Sequence, residues 1–430
     1  MRSSQSACGA LGVRRVSVVV VVMCVRGASV NAGTATFEPL GYLPAGGTVG
    51  SQGLAISDDG QAVAGNSRSG PGSDFEAMRW TSAGGMIGLG DLPLGLFSSG
   101  AWGVSGDGSV VVGYGTGNGT TEAFRWESGV MTSIGDLPGG TVFSEAYGVS
   151  DDGSVIVGWS QGTTAFEAFR WTSGGGMVGL GDFPGGSTVS RAHAVSSDGS
   201  VVVGYGASSS GFEAFRWTNG TGLVPLGDLA GGAFESRAYA VSGDGNVIGG
   251  YSRSASGEEA FRWVGGVMTG LGDLPNGPFQ SRILGASGDG SVLVGFGQSA
   301  IGYEAVIWDQ TNGLRSLRDV LINDYGINLT NWILREADGI STDGTVICGW
   351  GLNPMGFNEA FRVTLPGATP PCPGNINGDT MVDVDDLNAI LSAWGQNVGV
   401  GDPRDVANND GVITVDDLNV VLSNWGNACP

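Results

Sequence analysis

Histidine is all but missing from this 430-residue chain: His193 is the single copy. Catalytic groupings that rely on imidazole are therefore nearly absent. Positive charge is scarce as well, with 19 basic against 41 acidic residues and a formal net charge of −22. Nucleic acid and anionic membranes both require a basic footprint, so neither is expected as a partner. No apolar run approaches the roughly 20 residues that a bilayer span takes; the main one is Val16–Val25. Arg14 and Arg15 precede that run and Val30-Asn31-Ala32 follows it, the order that marks a secretory signal peptide over residues 1–32. The mature chain is expected to be secreted, extracellular or at the cell surface, with no membrane span after cleavage. Cysteine is sparse and fits export. Cys8 and Cys24 leave with the signal, and Cys348 sits in a strand-like run as a small hydrophobe. Cys372 and Cys429 bracket the C-terminal module and are the expected disulfide pair in an oxidising compartment.

Glycine, by contrast, is abundant, with 81 residues alongside 16 prolines. Disordered chains are poor in apolar residues, whereas 41% of this one is hydrophobic, so the glycines mark many tight turns. The length suits two or three domains. Across residues 36–363 the sequence repeats. Glu-Ala-Phe-Arg-Trp occurs at Glu122–Trp126, Glu167–Trp171, Glu213–Trp217 and Glu259–Trp263. Variants stand at Glu76–Trp80, Glu304–Trp308 and Glu359–Val363. The closing tryptophans are 45 or 46 residues apart, and a period of about 40–50 residues is that of propeller blades. An Asp-Gly pair, a strong hairpin signal, recurs at Asp59, Asp107, Asp152, Asp198, Asp244, Asp289 and Asp343.

Each unit reads as four short strands, for example Ala146–Ser150, Ser154–Trp159, Glu167–Thr172 and Gly176–Asp182, with no helical periodicity. The fold class that follows is an all-β, seven-bladed propeller over residues 33–365. Strand counts balance only if Thr36–Leu43 supplies the fourth strand of the blade begun near Ala337, so the N-terminal strand is expected to close the ring. A stack of sheets or a β-solenoid is the rival architecture. The recurring Glu, Arg and Asp are expected to be structural, Arg laying its stem on an aromatic neighbour and its head against a carboxylate. The insertion Asp319–Asn331, with Tyr325 and Trp332, breaks the symmetry and is where a unique site would be sought. His193 holds the strand position of Trp102, Tyr147 and Tyr239 in sister blades and reads as a packing substitution. Gly158-Trp159-Ser160-Gln161-Gly162 matches a nucleophile elbow, but no helix follows, so the match is read as chance.

Through Gly135–Gly140, Ser150–Gly158 and Ala168–Trp171, the repeat resembles the extracellular HAF-repeat family over nearly all of residues 36–363. Glu stands in every copy where the family's name has His. The resemblance implies an extracellular role and carries no established activity.

Composition changes beyond a Pro/Gly linker at residues 366–371, and two similar halves follow. Oxygen-bearing side chains at alternate loop positions, closing on a carboxylate, suit the 6–8 ligands of Ca²⁺. Each loop runs into a helix whose apolar residues, Leu387, Ile390, Leu391, Trp394 and then Leu418, Val421, Leu422, Trp425, repeat at helical spacing. This duplicated loop and helix over 372–430 resembles a type I dockerin, a Ca²⁺-dependent module that binds a cohesin domain. The resemblance implies Asn375, Asn377, Asp379, the Met381 carbonyl, Asp383 through water, and Asp386 as first-loop ligands. For the second loop it implies Asp405, Asn408, Asp410, the Val412 carbonyl, Thr414 and Asp417. Val384-Asp385 and Val415-Asp416 fall where dockerins read their partner, though Val-Asp is not the Ser-Thr type pair of cellulosome dockerins. Asn375 in place of Asp, Thr380 in place of a turn glycine, and an extra residue after Asp405 depart from the pattern, so at least one site is expected to be weak.

The functional expectation is a secreted, non-catalytic binding or scaffold protein, assembled through its tail with a cohesin-like protein or cell-envelope component. The alternatives are a lectin-like, glycan-binding propeller and a propeller glycosidase or lyase on polysaccharide, whose acid–base chemistry needs just two carboxylates. Specificity must sit where the repeats differ.

Overall fold

The computed structural model describes residues 35–44, 50–69 and 75–366, and in the C-terminal region 376, 382, 384–396, 398, 404, 412–423 and 425. Within them, 28 strands form seven four-stranded sheets, the blades of a β-propeller. Blade three is representative: Ser144–Val149 pairs with Val155–Gln161, then Phe166–Thr172, then Gly176–Gly179, each pair antiparallel. First strands of neighbouring blades touch one another, which puts them innermost around the axis. The fourth strands are short, stopping at Gly179 rather than Asp182 in blade three, because Gly181 takes a φ of 83° and turns the chain away.

The Asp-Gly turns join first to second strands. In the first of them Ser57 Oγ donates to Asp59 and accepts from the Ala62 amide, and Asp59 accepts from the Gln61 amide. Gly60 supplies the left-handed φ of 68° that a side chain would resist.

Thr36–Gly41 pairs antiparallel with Asn358–Thr364, Thr36 opposite Thr364, as the outermost strand of blade seven. The ring is therefore closed by the N-terminal strand, and the solenoid is excluded. Three sets of bonds stitch the blades. The serine opening the inner strand accepts from the third-strand alanine of the preceding blade, as in Ala168 to Ser190 and, across the closure, Ala360 to Ser51. The recurring arginine reaches the next Asp-Gly turn, Arg79 to the Gly108 carbonyl and Arg362 to that of Gly60, both at 2.7 Å. Its head thus meets a turn carbonyl in both blades, because the turn's aspartate is already used within the turn. In the closing blade Arg362 also reaches the expected kind of partner, the Glu38 carboxylate, at 3.6 Å. Finally, seven main-chain bonds of 2.9–3.2 Å run from Asp58 through Gly106, Asp151, Ser197, Gly243, Gly288 and Thr342 back to Asp58. They form a closed hoop at one end of the axis.

Helix is present in the propeller after all. Leu317–Asn323 forms one, with the Ser316 side chain accepting from the Asp319 amide at its N-terminus. Its apolar side, Leu317, Val320 and Leu321, packs with Leu329, Trp332 and Leu334. Near the C-terminus, helices Val384–Ser392 and Val415–Ser423 share a small core of Val382, Ile390, Ala393, Ile413 and Val421. The apolar face expected there is split: Leu391, Trp394, Leu422 and Trp425 are exposed. Among the described residues no helix is long and apolar enough to cross a membrane.

Candidate functional site

Every inner strand carries a β-bulge at the same place, seen as a register shift such as that between Ala146 and Gly148. The extra residue lies three after the recurring serine (Arg335 in blade seven): Leu54, Trp102, Tyr147, His193, Tyr239, Leu284 and Asp338 in blade order. A bulge frees one residue from the ladder and re-aims its side chain. The residue that follows is glycine or alanine in all seven blades, because neighbouring inner strands approach closely there. A Cβ on Gly103 would lie 2.9 Å from the Tyr147 carbonyl oxygen.

Four of the bulged residues form a continuous arc, with ring centroids 5.5 Å apart for Trp102–Tyr147, 4.9 Å for Tyr147–His193 and 4.8 Å for His193–Tyr239. Trp102 Nε1, His193 Nε2 and Asp338 Oδ2 are buried there without a hydrogen-bond partner. Such atoms normally find one. Burial, with Arg191 and Arg237 nearby, lowers His193 to about 3, so its imidazole is neutral. Burial pushes the Asp338 carboxyl well up, and the neighbouring Glu336 adds to the rise.

Two positions earlier on the same strands lie Gln52, Gly100, Glu145, Arg191, Arg237, Arg282 and Glu336. Arg237 pairs with Glu235 at 2.9 Å, and Arg282 pairs with Glu258. Glu145 accepts from the Tyr147 hydroxyl at 2.8 Å, and burial raises its carboxyl. Glu336 is raised by burial as well, although Trp350 Nε1 donates to it. This layer lies toward the end of the axis away from the hoop, where the loops between second and third strands emerge.

The insertion, where a site was sought, looks different in place, and the elbow match, read as chance, serves the fold. Trp332 is buried against Phe37, and the insertion fills a blade junction; a shallow pocket of about 300 Å³ remains beside its helix. Ser160 is buried, donating to the Phe143 carbonyl and accepting from the Leu137 amide, so its hydroxyl serves the fold. Glu76 and Glu167 each accept from the amide of the glycine after their fourth strand, a structural role. His193 does pack, stacked on Tyr205 at 5.4 Å, yet its free Nε2 gives it capacity beyond packing. The bulged position is the feature that sequence reasoning missed; its signal is the variety of residues at one point of an otherwise constant strand.

Of the implied C-terminal ligands, Asn375, Asn377, Asp379, Met381, Asp383, Asp405, Asn408 and Asp410 lie outside the described residues, as do Cys372 and Cys429. Asp386 is fully buried and accepts from the Ile376 amide at 2.6 Å. Asp417, its counterpart, is fully buried and accepts from the Thr414 amide at 2.8 Å. With Thr414 and the Val412 carbonyl these are oxygen donors, which suit a hard cation. Among the described residues no group of three or more His, Cys, Asp or Glu is gathered to hold a metal. Val384, Asp385 and Val415 are exposed, and Asp416 lies in the second helix.

Neither a protein-family model nor a curated protein matches the sequence. Solved structures with some likeness include TolB from Acinetobacter baumannii, at 14% identity and a TM-score of 0.43, covering 61% of this chain and 65% of that one. An oligogalacturonate lyase from Vibrio parahaemolyticus has 11% identity and a TM-score of 0.47, covering 77% and 97%. The β-propeller domain of the Trilobed protease from Pyrococcus furiosus has 11% identity and a TM-score of 0.43, covering 74% and 95%. Likeness at this level carries no function across. The propeller assignment rests on the strand pairing itself.

Proposed function

We propose that the chain is a secreted, non-catalytic binding protein whose propeller holds a glycan-class ligand in the channel lined by the bulged residues. One observation carries this reading: three polar atoms, Trp102 Nε1, His193 Nε2 and Asp338 Oδ2, are buried at equivalent positions without partners. An unpaired buried polar group costs about 1–3 kcal/mol, a cost that ligand hydroxyls would offset. The adjoining arc of rings, stacked at Trp102–Tyr147 and steeply tilted at Tyr147–His193 and His193–Tyr239, offers apolar contact for a sugar's C–H groups. The C-terminal region, with oxygen ligands for Ca²⁺ and solvent-exposed Val384, Trp394, Val415 and Trp425 in matching halves, is the dockerin-like attachment to a cohesin-like or cell-envelope partner.

A glycan array screened with the full chain, followed by calorimetry on the hits, tests the propeller's part. Saturable binding is expected, weakened about tenfold or more by Trp102→Ala. Absence of any saturable glycan sinks the reading. The raised Glu336 and Asp338 carboxyls favour a second reading, acid–base cleavage of polysaccharide. Reducing ends released by the chain and lost in Asp338→Asn would put that reading in its place.

A further inference from the structure

The strongest asymmetry of the channel is charge. The chain carries −22 overall and every one of its 19 basic residues is arginine. Three of these stand side by side, at the second inner-strand position of blades four, five and six. The same position holds Gln52, Gly100, Glu145 and Glu336 elsewhere, so these arginines are not staples of the repeat. Each guanidinium lies over an aromatic ring of the preceding blade: Arg191 over Trp159 at 4.5 Å, Arg237 over Tyr205 at 4.6 Å, Arg282 over Tyr251 at 4.4 Å. Stacking fixes the plane of the fork and leaves its N–H edge for a planar anion.

The three differ in what that edge meets. Arg237 has Glu235 and Arg282 has Glu258. Arg191, the first of the three, has no carboxylate within ion-pair distance among the described residues. Glu145 is nearby, but its carboxylate accepts from the Tyr147 hydroxyl.

We propose that the channel's ligand is an acidic sugar, its carboxylate gripped by Arg191 and its C–H groups set against the Trp102–Tyr147–His193–Tyr239 arc. This rests on the glycan-binding reading above and names the class of glycan. Arg191 and His193 stand two positions apart on one inner strand, which puts the cation and the rings in neighbouring layers, as one sugar ring bearing a carboxyl group would need. Trp102 Nε1 and His193 Nε2 then meet hydroxyls of the same sugar.

The test is calorimetry on the full chain with uronic-acid oligosaccharides and with the same oligosaccharides carboxyl-reduced to neutral sugars. The acidic set is expected to bind about 10- to 100-fold more tightly, the span of a hydrogen-bonded charged pair, and to weaken with salt. Arg191→Gln should erase that preference, and Arg191→Lys, which keeps the charge but not the fork, should restore part of it. Trp102→Phe should weaken acidic and neutral sugars alike. Equal binding of both sets, or a preference that survives Arg191→Gln in a variant with unchanged melting, overturns the acidic assignment while glycan binding stands. Citrate competing as well as a monomeric hexuronate would also overturn it, since a bare carboxylate would then suffice. Failure of every sugar removes the underlying reading instead.

Discussion

At Asp338 the fold holds a carboxyl group where it gains nothing from being charged. The side chain is the extra residue of a bulge, with Oδ2 buried and unpaired. Burial first, and Glu336 second, raise it well above the ordinary value. The folded state therefore keeps its proton more tightly than the unfolded chain does. Stability is full below the unfolded value near 4 and falls as pH rises through the folded one. Asp338→Asn keeps the shape and removes the titration. It is expected to melt like the wild type at pH 4 and several degrees higher at pH 8. Thermal scans across that range check the sign, and a variant less stable at pH 8 than at pH 4 relative to wild type would contradict it. The hairpin-turn aspartates behave oppositely: hydrogen bonds from Ser109 and Ser105 hold Asp107 low. None of this was legible from residue types. The alternation of the inner strand looks regular in sequence because a bulge adds a residue without changing the pattern of small and large side chains. What can be read is that Trp102, Tyr147, His193 and Tyr239 share a position. That they face one another needs the closed ring.

Among the elements, the outermost strand of blade seven matters most, since Thr36–Gly41 is the piece that converts a row of blades into a ring. Removing residues 36–41 leaves the edge Asn358–Thr364 unpaired and removes Phe37 from its packing on Trp332 and Phe361. The expected outcome is loss of the single cooperative melt, read by circular dichroism, with the truncated chain prone to associate through that edge. An unchanged transition would mean that the ring does not depend on its closure. Strands and turns were readable because seven Asp-Gly turns and seven aromatic third strands speak with one voice. The helix Leu317–Asn323 was not, since two turns of helix give too short a window for its 3.6-residue period to stand out from the strand before it. The exposure of Leu391 and Trp394 was not legible for a related reason: helical spacing gives the stripe, but its outer edge is covered only if a partner or another element lies there.

On the scale of the whole molecule, two kinds of assembly meet. The propeller is held by the hoop of seven main-chain bonds and by serine and arginine bonds that recur between blades. None of these uses the bulged residues, so those are free to differ from blade to blade. The tail, in the proposed reading, is held by metal. Ca²⁺ added to the full chain should raise the melting temperature of the C-terminal region and leave the propeller's transition in place. Replacing both Asp386 and Asp417 with Ala should abolish the response and the capture of a cell-envelope partner. A calcium-insensitive melt with heat-silent titration would rule the metal out.

The pairing of Thr36 with Thr364 has one more consequence. Third strands run from the arginine layer toward the hoop, so the chain both enters and leaves blade seven at the hoop end. Anything attached through the C-terminal region is therefore attached from behind. In the proposed reading, tethering through that region would leave the arginine layer, at the other end of the axis, clear of the attachment.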